Sequence, residues 1–195
     1  MTFGWGKVHI VWGQVGKIPI SKQVANLNQF FRGTYEHTLD AKGRVAVPKK
    51  FREGLLEGLT DYVGEELIVT YGLSNQLFVF SKAGFDDFSH RYSALPGEQA
   101  DLLDRFFGAC ANECALDAQG RILIASHQKA FAGLEKEVVW VGQRGHVELW
   151  SAQRWTEALD AVQRGVFMAS SENLRAAYAC IDFNAPIRNV NKIEL

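Results

Sequence analysis

The sequence predicts an α+β fold, mainly β, in which two related modules pair into one domain with short flanking helices. Three observations support this prediction: a repeated motif, strand and turn signals that follow each copy in the same order, and an apolar content of 47%. The chain has 195 residues, a length that suits one compact domain or two small ones.

The repeat is clearest at a short motif with the pattern Asp-x-x-x-Arg. Residues 39–47 read LDAKGRVAV and residues 116–124 read LDAQGRILI, so the two copies lie 77 residues apart. Two further blocks recur at an offset of 70 residues: LIVTYG at 67–72 with EVVWVG at 137–142, and LFVFS at 77–81 with VELWS at 147–151. Blocks that recur in the same order indicate two copies of one structural unit.

These matches divide the chain into two modules and three other segments. The division is an N-terminal extension at 1–30, module one at 31–95, a linker helix at 96–107, module two at 108–166 and a C-terminal tail at 167–195. One module alone has four short strands and too few apolar residues for a stable core. The two modules are therefore expected to pair about an approximate twofold axis and to share one core.

Each Asp-x-x-x-Arg motif predicts a tight turn followed by a short strand. In the first copy Asp40 can accept hydrogen bonds from nearby backbone N–H groups, and Gly43 supplies a positive φ. Asp117 and Gly120 occupy the same places in the second copy. These four residues are predicted to orient the two loops.

A helix and a hairpin are expected after each turn. Pro48 predicts the start of a short helix, because its missing N–H costs nothing there. Hairpins are predicted around residues 72–75 and 142–145, and Ser81 and Ser151 each predict the cap of a following helix. The predicted apolar helix positions are Phe51, Leu55 and Leu59, then Phe85, Phe88 and Tyr92, then Trp155, Leu159 and Val162.

Positive charge is concentrated after the first turn, although the whole chain has a net charge of −1. Five cations with no acidic residue among them are Lys42, Arg44, Lys49, Lys50 and Arg52. Such a patch can contact DNA phosphates, and Arg44 can also bind guanine through two hydrogen bonds in the major groove. Asp40 is anionic, so its expected role is to cap the turn or to pair with Arg44 and fix its direction.

The motif alone leaves a simpler interpretation open. An Asp-x-x-x-Arg sequence with a central glycine is also typical of an ordinary hairpin with a surface ion pair, and a basic helix face is usually just solvated. The second copy also carries less charge, because Gln119 stands in the place of Lys42. We expect Arg121 to contribute less to DNA binding than Arg44, or to serve packing and contacts between subunits.

Signals for other chemistry are weak. Cys110 and Cys114 would need two further ligands to hold a metal, and small buried thiols are the simpler interpretation. The sequence has no glycine-rich phosphate loop and no Gly-x-Ser-x-Gly motif, so we expect no enzyme, cofactor or small-molecule substrate. No apolar run reaches the roughly 20 residues that span a bilayer, and three cysteines fit a reducing cytoplasm.

The repeated blocks resemble the MraZ family over about residues 31–166. The resemblance rests on FFRGTYEHTLDAKGRVAVPKKFRE, on ANECALDAQGRILI and on AFAGLEKEVVWVGQRGHVELW. It implies AbrB/SpoVT-type swapped-hairpin modules that interleave into one barrel-like unit. It also implies a cytoplasmic, nucleoid-associated homo-oligomeric ring that binds repeated elements in double-stranded DNA upstream of the division and cell-wall gene cluster and regulates transcription there.

Three questions stay open at this point. Residues 1–30 hold three lysines and no acidic residue, and they form either a basic arm on DNA or, as we favour, a leader upstream of the true start. The tail predicts one helix around residues 174–181. The rival function is a ring-forming scaffold for protein partners that binds DNA only incidentally, which the near-neutral net charge favours.

Overall fold

The computed structural model describes residues 31–57, 61 and 63–163; the expectations for residues 1–30, for Leu59 and for the C-terminal tail lie outside them. In chain order the elements are β1 (Thr34–Thr38), β2 (Arg44–Ala46), α1 (Lys49–Leu55), β3 (Glu66–Tyr71), β4 (Leu77–Ser81), α2 (Lys82–Ser93), α3 (Gly97–Leu103), β5 (Asn112–Ala115), β6 (Arg121–Leu123), α4 (Ser126–Ala132), β7 (Glu137–Gly142), β8 (Val147–Ser151) and α5 (Ala152–Gln163).

Six of these strands form one antiparallel sheet in the order β1-β7-β8-β4-β3-β5. The first strand of each repeat pairs with the hairpin of the other repeat: β1 lies beside β7, with Tyr35 opposite Trp140, and β5 lies beside β3, with Cys114 opposite Leu67. The predicted α+β, mainly β, class is confirmed. The sheet is open, so the predicted closure into a barrel is not among the pairings of the described strands.

The remaining two strands form a separate two-stranded ribbon. Strand β2 pairs antiparallel with β6, so that Val45 lies opposite Ile122. Both of these side chains are fully buried, because residues alternate between the two faces of a strand. The indole Nε1 of Trp140 donates a hydrogen bond of 3.0 Å to the Ala46 carbonyl and so joins the ribbon to the large sheet.

The main core lies between the ribbon and one face of the sheet. Alternate residues of the central strands point into it, and helices α1 and α4 contribute Phe51, Leu55 and Ala132. Its fully buried members include Val45, Phe51, Leu67, Val69, Leu77, Val79, Leu116, Ile122, Trp140, Val147 and Leu149. Phe51 and Leu55 are the buried residues of α1, as the helical spacing predicts.

The opposite face of the sheet is covered by α2 and α5. Rings from β4, α2 and the segment before β5 pack there in edge and stacked contacts: Phe78, Phe80, Phe85, Phe88, Tyr92 and Phe107. Trp150 packs against Trp155 of α5. The buried carboxylate of Glu148 accepts hydrogen bonds from Gln76 and Trp150. Burial alone would raise its pKa, but His146, whose Nε2 lies 3.8 Å from Glu148 Oε1, and the hydrogen bonds from Trp150 and Gln76 lower it overall.

The helix starts follow the sequence signals. The Ser81 hydroxyl accepts a hydrogen bond from the Gly84 N–H, and the Ser151 hydroxyl accepts one from the Arg154 N–H, so both predicted caps are confirmed. The helix predicted between the modules is α3 followed by a π-helical turn at Asp104–Gly108, where the Ala109 N–H donates to the Asp104 carbonyl.

Candidate nucleic-acid interface

The first Asp-x-x-x-Arg turn is held by one carboxylate. Asp40 Oδ1 accepts hydrogen bonds of 2.9 Å from the backbone N–H groups of Lys42 and Arg44. The Gly43 N–H donates to the Asp40 carbonyl, and Gly43 has a φ of 80°, which an L side chain adopts only with strain. These hydrogen bonds and the positive φ of Gly43 define the backbone of the first turn.

The second turn repeats these bonds atom for atom. Asp117 Oδ1 accepts 2.9 Å hydrogen bonds from the N–H groups of Gln119 and Arg121. The Gly120 N–H donates to the Asp117 carbonyl, and Gly120 has a φ of 69°. The two turns therefore present their arginines from equivalent backbones.

The antiparallel ribbon brings the two turns together into an ion cluster of Asp40, Arg44, Asp117 and Arg121. Within each turn, arginine Nη2 lies 2.7 Å from the aspartate Oδ2. Between the turns, Arg44 Nη1 lies 3.9 Å from Asp117 Oδ2, and Arg121 Nη1 lies 3.6 Å from Asp40 Oδ2. The four side chains are only 27–32% exposed and their formal charges cancel, so the cluster is a partly buried, neutral centre of this surface.

The electrostatics of the cluster keep both carboxylates ionised. The Arg44 backbone N–H, followed by the Arg44 guanidinium, lowers the pKa of Asp40 to about 2. The hydrogen bond from the Arg121 guanidinium is the main cause that lowers the pKa of Asp117, and it raises the pKa of Arg121 in turn. At neutral pH the two arginines are consequently oriented by fixed negative charges.

The aspartate binds one edge of each guanidinium and leaves another edge available. Arg44 uses Nε and Nη2 toward Asp40 Oδ2, and its 3.9 Å contact with Asp117 is too long for a hydrogen bond. The N–H groups at the tip of Arg44, on Nη1 and Nη2, can therefore still donate as a pair. Arg121 differs, because its Nη2 also donates to Gln119 Oε1 at 3.1 Å. Gln119 thus occupies part of the tip of Arg121.

Each repeat also places a helical cation over the turn of the other. The guanidinium of Arg52 in α1 lies over Gly120, so close that a Cβ at residue 120 would collide with it. Lys129 of α4 lies over Gly43, and its Nζ would be 2.8 Å from a Cβ there. Arg52 and Lys129 are 77 residues apart, so they are equivalent positions. Arg52 was predicted to belong to the patch and Lys129 was not, although the 77-residue offset of the repeat makes the two positions equivalent.

The five cations predicted for the first copy have different surroundings. Lys49 is 81% exposed and its Nζ lies 3.8 Å from Glu53. Lys42 and Lys50 are exposed, and neither takes part in an ion pair with another described residue. The patch therefore consists of a neutral ion cluster at its centre, Arg52 and Lys129 over the turns, and lysines at its rim.

The two cysteines considered as metal ligands differ in burial. Cys114 is buried, its Sγ lies 3.3 Å from the Leu123 carbonyl, and burial raises its pKa to about 11; Cys110 is partly exposed. In the part of the chain that the structure describes, no three His, Cys, Asp or Glu residues are grouped so as to hold a metal ion. Within the same residues, no helix combines the length and the apolar character required to cross a membrane.

Fold and site together define a class of two-repeat α+β protein in which paired aspartate–arginine turns meet on one exposed ribbon. The family model described as MraZ protein, antitoxin-like, matches the chain twice, at residues 30–105 and 106–176. The chain belongs to the MraZ family.

Curated relatives agree with this assignment, and each is named transcriptional regulator MraZ. The relative from Lachnoclostridium phytofermentans is 43% identical over 126 residues, which cover 64% of this chain and 84% of that protein. The relative from Caldanaerobacter subterraneus subsp. tengcongensis is 44% identical over 127 residues, covering 64% and 83%. The relative from Desulforamulus reducens is 38% identical over 146 residues, covering 74% and 96%.

Proposed function

We propose that this protein is a sequence-specific regulator of transcription that binds double-stranded DNA through the β2–β6 ribbon and its two turns. The observation that supports this most directly is the tip of Arg44, which Asp40 holds in a fixed direction while leaving a pair of N–H donors available. The names of the curated relatives support the same function.

The dimensions and chemistry of the ribbon suit a DNA groove. A two-stranded β-ribbon fits the major groove, where an arginine tip can donate to both O6 and N7 of guanine. In this proposal Arg44 recognises a base, and Lys42, Lys49, Lys50 and Arg52 contact phosphates. Arg121 takes a smaller part, because Gln119 occupies part of its tip.

Affinity in this proposal depends on several subunits acting together. Even if all five cations of the first copy contacted phosphates, the log–log salt slope would be only about −4.5, which is modest for a specific regulator. A homo-oligomeric ring that presents identical ribbons to repeated promoter elements would gain avidity without any new contact. We therefore propose a cytoplasmic, nucleoid-associated ring of subunits, each built from two AbrB/SpoVT-type swapped-hairpin modules, acting upstream of the division and cell-wall gene cluster.

The competing function is a ring-forming scaffold whose DNA binding is incidental. Two observations favour it: the net charge of −1 for the chain and the cancelled charge of the ion cluster. A scaffold would tolerate loss of the Arg44 tip, whereas a sequence-specific regulator would not.

The experiment measures fluorescence-anisotropy binding to the DNA upstream of the protein's own gene and to scrambled DNA of equal composition. The test variant combines Arg44→Gln with Asp40→Asn, which removes the tip without changing the net charge. The matched control combines Arg91→Gln with Asp87→Asn, an ion pair on α2 at the other face of the sheet. The proposal expects the wild type and the control to prefer upstream DNA by at least about tenfold, and the test variant to lose that preference.

Equal weak binding to both DNAs by the wild type would contradict the proposed function and favour the scaffold. An unchanged preference in the test variant would contradict the role of Arg44. Thermal unfolding of all three proteins confirms that any difference concerns binding rather than folding.

A further inference from the structure

One apolar side chain lies beside the ion cluster with no role in the core. Along β6, Ile122 is fully buried, whereas Leu123 points outward and is 56% exposed. The outward positions of the ribbon are Arg44, Ala46, Arg121 and Leu123. Single exposed leucines are common on protein surfaces, so the exposure alone has no functional meaning.

The position of Leu123 is more informative than its exposure. In the ribbon register Leu123 lies directly opposite Arg44, whereas Ala46 lies opposite Arg121. Directly opposed residues have Cβ atoms about 5 Å apart, so Leu123 and Arg44 project side by side from the same face. The pair formed by Arg44 and Leu123 thus combines an available arginine tip with a long apolar side chain; we call this pair the Arg44 half of the ribbon, and the pair formed by Arg121 and Ala46 the Arg121 half.

The major groove offers one apolar group to such a side chain. Thymine alone among the four bases presents a methyl group there, at C5, and guanine presents the two acceptors that an arginine tip binds. Successive bases along a strand are about 3.4 Å apart, a spacing comparable to that of the two neighbouring side chains. Ala46 is too short to make the same contact from the other half of the ribbon.

We propose that Leu123 is a specificity-determining residue that contacts the C5-methyl group of a thymine next to the base bound by Arg44. This inference rests on the proposed function, since it assumes that the ribbon enters the major groove. It adds an apolar contact to a surface otherwise described by charge. It also predicts that specificity is stronger on the Arg44 half of the ribbon than on the Arg121 half.

The experiment replaces each thymine of the upstream DNA in turn by deoxyuridine, which removes only the C5-methyl group. Wild-type protein is expected to bind at least one substituted duplex about fourfold more weakly, because one buried methyl group contributes about that factor. Leu123→Ala should bind that duplex and its thymine parent equally. Leu123→Met, which keeps an apolar side chain of similar reach, should retain much of the discrimination.

The matched control is Leu73→Ala, since Leu73 is an exposed leucine in the turn between β3 and β4. Leu73→Ala should discriminate thymine from deoxyuridine as the wild type does. The wild type could prefer upstream DNA and yet bind every deoxyuridine-substituted duplex as tightly as the thymine parent. That result would overturn this inference and leave the proposed function intact. Discrimination that persists in Leu123→Ala overturns it as well. A wild type with no preference for upstream DNA overturns the proposed function and this inference together.

Discussion

The two Asp-x-x-x-Arg turns have the same backbone but different surroundings. Each aspartate accepts two backbone hydrogen bonds and one from the arginine Nε of its own turn, and the corresponding distances in the two turns agree within 0.1 Å. The second turn differs at one position, because Gln119 replaces Lys42 and binds the tip of Arg121. One substitution thus removes a cation and occupies the tip of the neighbouring arginine.

The comparison distinguishes residues that hold the backbone of the turn from solvent-facing residues that can change without altering it. Asp40, Gly43 and their equivalents hold the backbone of the ribbon, and both copies retain them. The positions around them point to solvent, where a side chain changes charge and hydrogen bonding without changing the turn. The two halves of one surface can therefore have the same shape and different chemistry.

The largest expected effects are on the free energy of unfolding, and they come from substitutions in the helices that follow the two turns. Phe51 of α1 is buried against Phe31 and Tyr35, whereas the equivalent Gln128 of α4 is buried and donates to the carbonyls of Val69 and Cys110. Phe51→Ala should lower the free energy of unfolding by about 4 kcal/mol through cavity formation. Gln128→Leu should lower it by about 1.5 kcal/mol, because the buried Val69 carbonyl and the partly buried Cys110 carbonyl lose their donor.

Denaturant unfolding of the two variants and the wild type measures both values. If Gln128→Leu and Phe51→Ala lower the free energy of unfolding equally, the hydrogen bonds of Gln128 stabilise the fold as much as the packing of Phe51 does. A stabilised Gln128→Leu would mean that the unpartnered Oε1 of Gln128 costs more than its two bonds contribute.

A smaller effect is expected when the second turn is made to resemble the first. Gln119→Lys should free the tip of Arg121 and add one cation, so DNA affinity should rise several-fold at low salt and the log–log salt slope should steepen by about 0.9 per added phosphate contact. Gln119→Ala frees the tip without adding charge. Gln153→Lys, on α5 beyond the other face of the sheet, is the control for net charge. Salt titrations that show the same gain for Gln153→Lys would attribute the effect to net charge alone.

The smallest expected effect is a change of stability with pH that arises from Asp40. The pKa of Asp40 is lowered to about 2 in the folded protein, from a usual value of 3.8. The stability that this carboxylate contributes is therefore fully present above about pH 4 and is lost as the pH falls through about 2. Asp40→Asn should lower the Tm near neutral pH, and its difference from the wild type should shrink as the pH falls from about 4 towards 2.

Thermal melts of wild type and Asp40→Asn between pH 7 and pH 2 measure that difference. Asp117→Asn should follow the same direction, because the pKa of Asp117 is also lowered. A Tm difference that stays constant over this range would show that the ion cluster does not stabilise the fold through its charge.

Local features of the structure could be predicted from the sequence. The 77-residue repeat located both turns, and Ser81 and Ser151 located two helix starts, because caps and turns depend on a few neighbouring residues. The aspartate–arginine pairing was predicted for the same reason, since both partners lie within one turn.

Features that depend on distant segments could not be predicted in this way. The exchange of β1 and β5 between the hairpins, and the packing of Arg52 over Gly120, join residues far apart in the chain. The bond between Gln119 and Arg121 is local, but it depends on side-chain conformations that a sequence pattern does not specify. In the linker helix, the apolar Leu102 is exposed and Phe107 is buried, since the π-helical turn shifts the helix face.

The first turn is predicted to recognise DNA more strongly than the second. The direct test compares Arg44→Ala with Arg121→Ala in anisotropy titrations on upstream and scrambled DNA at several salt concentrations. We predict that Arg44→Ala lowers the affinity for upstream DNA by about tenfold or more and that Arg121→Ala lowers it less. Equal losses from the two substitutions, with equal changes in salt dependence, would contradict the proposed difference between the turns.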